Sequence, residues 1–261
     1  MQIDFNKYKR VFAFGCSFTN YVYPTWADLI MHEMPNSETY NFGRSGGGNH
    51  YIACTIAEAN TRFKFTDTDL VMVMYTTAFR EDRWIEGKWQ TNGNVYNQGY
   101  YDKNFVKNYV DPTGCIVRDL ALIEMSKKYL ELLPCDTLFL RGAPLEYEVS
   151  SLMNDTMTEV IDVYKDLYNS FPPTMQETMF PNGWVGTIWR GFDPNQLHLD
   201  SHPLPIDYHN YLVKIGVNLT DREYAEKATE KAYTAKPDYS DWEEIFPDVA
   251  ERVNRSARIM F

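Results

Sequence analysis

Short apolar segments that alternate with helix-like patterns constrain the fold of this chain more than any other feature. Apolar runs lie at residues 11–14, 70–75 and 137–140, and a further short strand is predicted at 38–42. Apolar runs of this length predict strands that are buried on both faces, with the intervening helices covering those faces. The sequence therefore predicts an α/β fold in which helices pack on both sides of a central parallel sheet.

The chain divides, by pattern, into one large unit and a tail. We predict an α/β domain over residues 1–215, with long loop insertions at about 83–114 and 145–195, and a helical C-terminal extension over 216–261. Helix starts are marked by capping boxes, Thr156-x-x-Glu159 in the second insertion and Thr220-x-x-Glu223 in the extension. Other helices are predicted at about 24–34, 49–61, 116–133 and 247–260.

Charge and composition exclude several classes of function. A net charge of −11 argues against nucleic-acid binding, which needs clustered cations, although it leaves room for a local basic groove. No apolar run approaches the 18 or more residues that span a bilayer, and residues 1–10 lack the apolar core of a signal peptide. The 4 cysteines show no CxxC spacing and are read as free thiols. We therefore expect no nucleic acid, no membrane and a cytoplasmic location, or a virion-associated one if the protein is phage-encoded.

A serine follows the first predicted strand, in the segment 15–19 (GCSFT). In a parallel sheet the carboxyl ends of the strands line the ligand crevice, so Ser17 is placed to act as a nucleophile there. Gly15 permits the sharp turn that this position needs. The alternative is an ordinary strand–helix turn in which Ser17 only caps the helix.

A glycine-rich loop, NFGRSGGGN at residues 41–49, follows the second predicted strand. Its exposed N–H groups are suited to an anion or an oxyanion. The spacing is not GxGxxG and no P-loop lysine follows, which argues against a dinucleotide or a nucleoside triphosphate. A flavodoxin-like flavin or nucleotide binder is a further hypothesis, but it leaves the residues of the next motif without a role.

Three of the 5 histidines lie in one short segment, residues 198–209 (HLDSHPLPIDYH). A metal site is one reading, but His198, Asp200 and His202 have no further ligand set around them. The other reading pairs a base with an orienting acid: His202, oriented by Asp200, takes the proton of Ser17. We predict no metal and no cofactor.

Together these blocks resemble the SGNH (GDSL-like) hydrolase superfamily, particularly its divergent phage and viral members, over residues 8–215. The resemblance implies a flavodoxin-like three-layer α/β/α sandwich and a catalytic set of Ser17 (nucleophile), His202 (base) and Asp200 (orienting acid). It also implies an oxyanion hole made by the N–H groups of Ser17 and Gly46 and by a side chain at the end of the third strand.

The sequence departs from the family pattern at two places. Thr77 stands where the family has an asparagine that completes the oxyanion hole, and its hydroxyl, or Asn49 or Arg80, is a candidate replacement. The family aspartate lies three residues before the histidine, whereas Asp200 lies two before His202; Asp193 and Asp207 are the fallback orienting acids.

The leading functional hypothesis is a serine esterase or deacylase. The aromatic content of 15% suggests an acylated carbohydrate as the substrate, because aromatic faces suit sugar stacking. The alternative is a catalytically degenerate SGNH fold that serves as a binding or structural subunit of a phage particle or other assembly, or forms a homo-oligomer, through residues 216–261. A Ser17 buried under the insertions favours that alternative.

Overall fold

Six strands form two sheets in the part of the chain that the structure, a computed structural model, describes: residues 2–96, 100–181, 202–235 and 240–257. The strands are β1 (Arg10–Phe14), β2 (Glu38–Asn41), β3 (Asp69–Tyr75), β4 (Arg80–Ile85), β5 (Lys88–Asn94) and β6 (Asp136–Arg141). The first sheet has the order β2-β1-β3-β6, and each neighbouring pair is parallel. The predicted parallel sheet is therefore confirmed, with β3 buried along its whole length.

Helices connect and surround these strands. They are α1 (Trp26–His32), α2 (Asn49–Phe63), α3 (Lys103–Tyr109), α4 (Pro112–Glu131), α5 (Asp155–Val163), α6 (Lys165–Asn169), α7 (Met175–Met179), α8 (Pro205–Lys214), α9 (Arg222–Thr234), α10 (Trp242–Ile245) and α11 (Pro247–Ala257). A 3-10 helix covers Tyr147–Leu152. Within the described ranges, none of these helices has both the length and the apolar character needed to cross a bilayer.

The two faces of the sheet carry different buried side chains, because successive residues of a strand point to opposite faces. Phe12 and Phe14 of β1 lie in a buried cluster with side chains of α2 and α4. Val11 and Ala13 lie in a second cluster with side chains of α1 and α8. Helices thus cover both faces, which confirms the predicted three-layer α/β/α sandwich.

Two helix starts differ from the capping boxes that the sequence suggests. α5 begins after Asn154, whose side chain accepts from the Met157 N–H, rather than after Thr156. α9 begins after Asp221, whose side chain accepts from the Tyr224 N–H, rather than after Thr220. In both cases a nearby Asn or Asp, which caps at least as well as threonine, takes the capping position.

The predicted long loop at 83–114 is wrong over much of its length, because the chain forms an antiparallel hairpin and a helix there. β4 and β5 pair through Trp84–Trp89 and Ile85–Lys88. The two residues between them, Glu86 and Gly87, have φ angles of 52° and 76°. Two successive positive φ angles are the signature of the tight turn whose twist suits a hairpin. This hairpin packs on the glycine-rich loop.

The C-terminal helices pack against the sandwich. On the β2 edge of the sheet, the Asn41 N–H donates to Ser256 Oγ of α11 at 2.9 Å. Arg252 of the same helix pairs with the buried Asp28 of α1, at 3.1 Å from Nε to Oδ1. α9 and α11 also share a buried apolar cluster with Tyr23 and Leu204. The predicted helical character of residues 216–261 holds in the described part, and their division into a separate unit remains a prediction.

Candidate active site

A cavity of about 230 Å³ opens where β1, β3 and β6 end. Its lining includes Ser17, which follows β1, Thr76 and Thr77, which follow β3, and His202. Arg80, at the start of β4, lines it as well. The carboxyl ends of parallel strands meet at one edge of the sheet, so residues far apart in sequence converge there. The structure thus brings four candidate residues, Ser17, Thr77, Arg80 and His202, to one cavity.

The loop that carries Ser17 is a tight turn and not a helix start. The Thr19 N–H donates to the Cys16 carbonyl at 2.9 Å, and α1 begins only after Thr25, whose N–H donates to the Asp28 carboxylate at 2.9 Å. A Cβ atom at Gly15 would lie 2.0 Å from Thr19 Oγ1, so the turn requires glycine there. Ser17 is therefore not the cap of α1, so the capping role in the alternative interpretation of this motif is wrong.

Aromatic side chains hold the imidazole of His202. The ring of Tyr21 stacks on it, with centroids 3.8 Å apart and planes 15° apart. Phe18 meets it edge-on at 5.3 Å. The Tyr23 hydroxyl donates to the His202 carbonyl at 3.2 Å. These contacts fix the plane and the backbone of the histidine from the same loop that carries Ser17.

The acids predicted to orient His202 are placed as follows. Asp200 and Asp193 lie outside the described residues. Asp207 lies in the first turn of α8, where its carboxylate accepts from the Leu204 N–H at 3.1 Å. Burial raises the pKa of Asp207, and this backbone hydrogen bond opposes the rise. The role of Asp200 therefore remains a prediction.

Thr77 lines this cavity and carries a buried hydroxyl. Its side-chain oxygen has no hydrogen-bond partner among the residues that the structure describes. A buried hydroxyl without a partner is unfavourable by roughly 1–3 kcal/mol, so folded proteins seldom retain one. The hydroxyl of Thr77 is thus an unused donor on a residue that lines the same cavity as Ser17 and His202.

The side-chain amide of Asn49, a candidate oxyanion donor, is hydrogen-bonded inside the protein. Its side-chain Nδ2 donates to the Thr76 carbonyl at 3.2 Å and to Asp119 Oδ1 at 3.1 Å. Its Oδ1 accepts from the Thr76 N–H at 3.1 Å. Both amide hydrogens are engaged, which leaves none for a ligand. Asn49 instead fixes the backbone immediately before Thr77.

Asp119, which lies outside the predicted set of site residues, supports Asn49 from α4. Its side chain is fully buried and Arg118 Nη2 lies 3.0 Å from its Oδ2. Burial raises the pKa of Asp119 to about 6, against the opposing effects of Arg118 and the Asn49 amide. Arg118 also donates to the Arg80 carbonyl at 2.8 Å. In the sequence, this network is indicated only by an acidic residue on the buried face of a helix.

The glycine-rich loop packs on the hairpin. Gly46 has a φ of +71°, and a Cβ there would lie 2.1 Å from the Thr91 carbonyl oxygen of β5. The Asp82 carboxylate accepts from the N–H groups of Gly48 and Tyr51, at 2.9 Å and 2.8 Å. The N-terminus of α2 is thus filled by the carboxyl group of Asp82. The Gly46 N–H as an oxyanion donor remains a prediction.

The loop also buttresses the serine turn. Asn41 donates through Nδ2 to the Thr19 carbonyl at 2.7 Å and accepts through Oδ1 from the Gly43 N–H at 3.0 Å. The Asn-x-Gly pair of the motif therefore ties the two loops together. Within the described ranges, no group of three or more His, Cys, Asp or Glu side chains is arranged to hold a metal ion.

Fold and cavity together define an α/β/α sandwich with a serine and a histidine at the carboxyl edge of its parallel sheet. Similar solved structures include a member of the lipolytic protein G-D-S-L family from Veillonella parvula DSM 2008, at 14% identity and a TM-score of 0.44, covering 79% of this chain and 97% of that one. A GDSL-like lipase from Bacteroides thetaiotaomicron VPI-5482 is similar at 14% identity and a TM-score of 0.40, over 86% of this chain and 89% of that one. This likeness lies in the fold. No family model matches the sequence, and no curated protein matches it.

Proposed function

We propose that this protein is a serine ester hydrolase of SGNH type, with Ser17 as nucleophile and His202 as general base. The observation that carries the proposal is the cavity at the strand ends. It combines Ser17, His202 and the Thr77 hydroxyl, which has no hydrogen-bond partner among the described residues. A nucleophile, a base and an unused donor in one cavity are the parts that acyl transfer requires.

The reaction proceeds in two halves. Ser17 Oγ bonds to the acyl carbon while its proton passes to His202, and the carbonyl oxygen becomes an oxyanion. The oxyanion accepts hydrogen bonds from Thr77 Oγ1 and the Ser17 N–H and, following the motif resemblance, from the Gly46 N–H. The imidazolium then protonates the leaving alcohol as its C–O bond breaks. Water, deprotonated by His202, attacks the acyl-serine, releases the carboxylic acid and restores Ser17.

Cavity size supports a short acyl group. Pockets for drug-sized ligands span roughly 300–1,000 Å³. The volume of about 230 Å³ at Ser17 is below that range. An acetyl or butyryl group therefore suits this cavity better than a long chain does. We extend the proposal to acylated carbohydrates as the substrate class, with Asp200 orienting His202.

Covalent labelling and activity test the assignment. The parent protein is expected to hydrolyse a small acetyl ester and to gain the mass of a fluorophosphonate probe. Ser17→Ala is expected to lose both, with kcat/KM falling by about a thousandfold or more. Ser170→Ala is the matched control, because Ser170 is exposed and its hydroxyl bonds only locally, to the Leu167 carbonyl. A Ser17→Ala variant as active as the parent contradicts the assignment.

The burial of Ser17 supports a second candidate. Ser17 is only 8% exposed to solvent. This burial suits a degenerate SGNH fold that acts as a binding or structural subunit of a phage particle or other assembly. A folded parent that hydrolyses no ester and takes up no probe supports this second candidate over the esterase.

A further inference from the structure

A second, larger cavity of about 550 Å³ lies beside the first. One wall is the loop after β1, with Asn20 and Tyr21, and another is the start of the glycine-rich loop, with Arg44. The C-terminal helices line it with Trp242 of α10 and Val253 of α11. The C-terminal extension, which the motif resemblance leaves unexplained, therefore builds part of this cavity.

Most hydrogen-bonding side chains of the cavity wall are already engaged inside the protein. The Tyr51 hydroxyl donates to the Phe42 carbonyl, the Thr55 hydroxyl to the Tyr51 carbonyl and the Ser256 hydroxyl to the Arg252 carbonyl. The wall therefore offers a ligand mainly aromatic and aliphatic surface.

Arg44 is the charged residue in the described lining. One of its guanidinium nitrogens, Nη2, donates to the Trp89 carbonyl at 2.8 Å. Because a guanidinium carries five N–H donors, others remain for a ligand oxygen. A half-buried arginine beside aromatic walls suits a ring that carries hydroxyl or carbonyl oxygens.

Tyr21 lies between the linings of the two cavities. It lines the larger one, and its ring stacks on His202, which lines the smaller. A group bound against Tyr21 therefore lies one aromatic ring from the proposed base. The smaller cavity takes a short acyl group, so the part of an ester that leaves as alcohol needs a place next to it.

We propose that the larger cavity binds the alcohol part of the ester, and that this part is a six-membered ring held by Tyr21, Trp242 and Arg44. The inference rests on the proposed esterase function. The face of the ring packs against the two aromatic side chains, and an oxygen on the ring accepts a hydrogen bond from the Arg44 guanidinium. A sugar and a phenol both offer this chemistry, and the test separates them.

Three acetate esters that differ only in the alcohol provide the kinetic test: phenyl acetate, a monoacetylated methyl glucoside and ethyl acetate. Trp242→Ala is expected to raise KM about tenfold for a ring ester and to leave ethyl acetate unchanged. Trp242→Phe, which keeps a ring, restores KM. A larger KM increase for the methyl glucoside ester identifies a sugar as the preferred ring. A larger KM increase for phenyl acetate identifies a phenol.

Trp84→Ala is the matched control, because Trp84 is 46% exposed and lies on the hairpin outside this cavity lining. It is expected to change none of the three esters. Equal effects of Trp242→Ala on all three esters, or no effect on any, overturn the inference while leaving the esterase assignment intact.

Binding to a catalytically silent protein separates the two proposals. Ser17→Ala is titrated calorimetrically with methyl glucoside and with phenol, and the titration is repeated with Ser17→Ala/Trp242→Ala, with circular dichroism confirming that both are folded. Binding of one ligand that weakens about tenfold in the double variant supports the cavity assignment even if the parent hydrolyses no ester. Absence of binding, or equal binding to both variants, overturns it.

Discussion

At the scale of single residues, the most informative atom is Thr77 Oγ1. Its burial without a partner among the described residues is unfavourable for stability and useful only if something binds to it. Stability and activity therefore respond to the loss of this hydroxyl in opposite senses.

Thr77→Val replaces the hydroxyl by a methyl group of similar size. We expect kcat to fall by about 10²–10³, the usual effect of one oxyanion donor, while the melting temperature stays the same or rises. Thr77→Ser keeps the hydroxyl and is expected to keep most of the activity. Ester hydrolysis and thermal unfolding of both variants check this. Equal activity of Thr77→Val and Thr77→Ser argues against Thr77 as a donor.

Asp119 gives a pH-dependent prediction. Its pKa is raised from 3.8 to about 6 in the folded protein, chiefly by burial. Between these values the folded state holds a proton that the unfolded state has lost, so this residue's contribution to stability falls as pH rises and is lost above about pH 6. The free energy of unfolding of Asp119→Asn, measured relative to the parent, should therefore increase by about 2 kcal/mol from pH 4.5 to pH 7.

Urea unfolding at both pH values measures this difference. Asp136→Asn is the control: the hydrogen bond from Lys7 lowers the pKa of Asp136, so its titration lies below this window. The difference between Asp136→Asn and the parent should stay flat from pH 4.5 to pH 7. A flat difference for Asp119→Asn as well means that Asp119 titrates normally.

Part of this site can be predicted from the sequence alone. Motifs and strand ends in the sequence predict Ser17, Thr77 and His202 as site residues, and all three line one cavity. The places of Asn49 and Asp119 depend on contacts between α2, β3 and α4, which no local pattern encodes. Local spacing predicts which residues follow a strand; it does not predict which amide hydrogens are already engaged.

At the scale of elements, the same limit separates the sheet from the hairpin. Strands β1, β3 and β6 of the parallel sheet are marked in the sequence by continuous apolar runs. β4 and β5 are largely polar and partly exposed, so no apolar pattern predicts them. The turn at Glu86-Gly87 is the feature that indicates a hairpin there. This hairpin nevertheless shapes the site, since it supplies Arg80 to the cavity and packs on the glycine-rich loop.

Two glycines test the contact between hairpin and loop. Gly46 and Gly87 both have positive φ, +71° and +76°, but a Cβ on Gly87 meets nothing within 4 Å whereas one on Gly46 meets the Thr91 carbonyl oxygen at 2.1 Å. Gly87→Ala should therefore lower the free energy of unfolding by about 1–2 kcal/mol, from backbone strain alone. Gly46→Ala should lower it by more than this, because the loop and the hairpin must also move apart.

Denaturant unfolding of the two variants gives the difference, which isolates the steric term. Gly46→Ala is also expected to reduce ester hydrolysis, since the loop that it displaces buttresses the serine turn through Asn41. Equal destabilisation by the two substitutions contradicts the close approach of loop and hairpin.

At the scale of the whole molecule, the C-terminal helices are joined to the sandwich by polar contacts as well as by apolar packing. Asp28 accepts from the Thr25 N–H within α1's own cap and also faces Arg252 of α11. Its carboxylate is completely buried, and the Arg252 side chain is 13% exposed. One buried acid thus joins the first helix of the chain to the last described one, and this coupling predicts that tail and sandwich unfold together.

Arg252→Met tests this coupling, because it leaves the Asp28 charge buried with only its local cap. Removing one partner of a buried ion pair lowers the free energy of unfolding by about 3–5 kcal/mol. We expect a value at the lower end of this range, because Asp28 keeps its hydrogen bonds with Thr25. Arg255→Met is the control on the same helix: its guanidinium is 36% exposed and pairs with exposed Glu251, so the expected loss is under about 1 kcal/mol.

The double variant Asp28→Asn/Arg252→Met completes the cycle. Since neither charge remains, it should be less destabilised than the sum of the two single variants. A single urea transition with an unchanged slope is expected throughout, because the tail and the sandwich share the buried pair and the cluster around Tyr23. An early, separate transition in Arg252→Met, with the main transition unmoved, shows instead that the C-terminal helices unfold independently of the sheet.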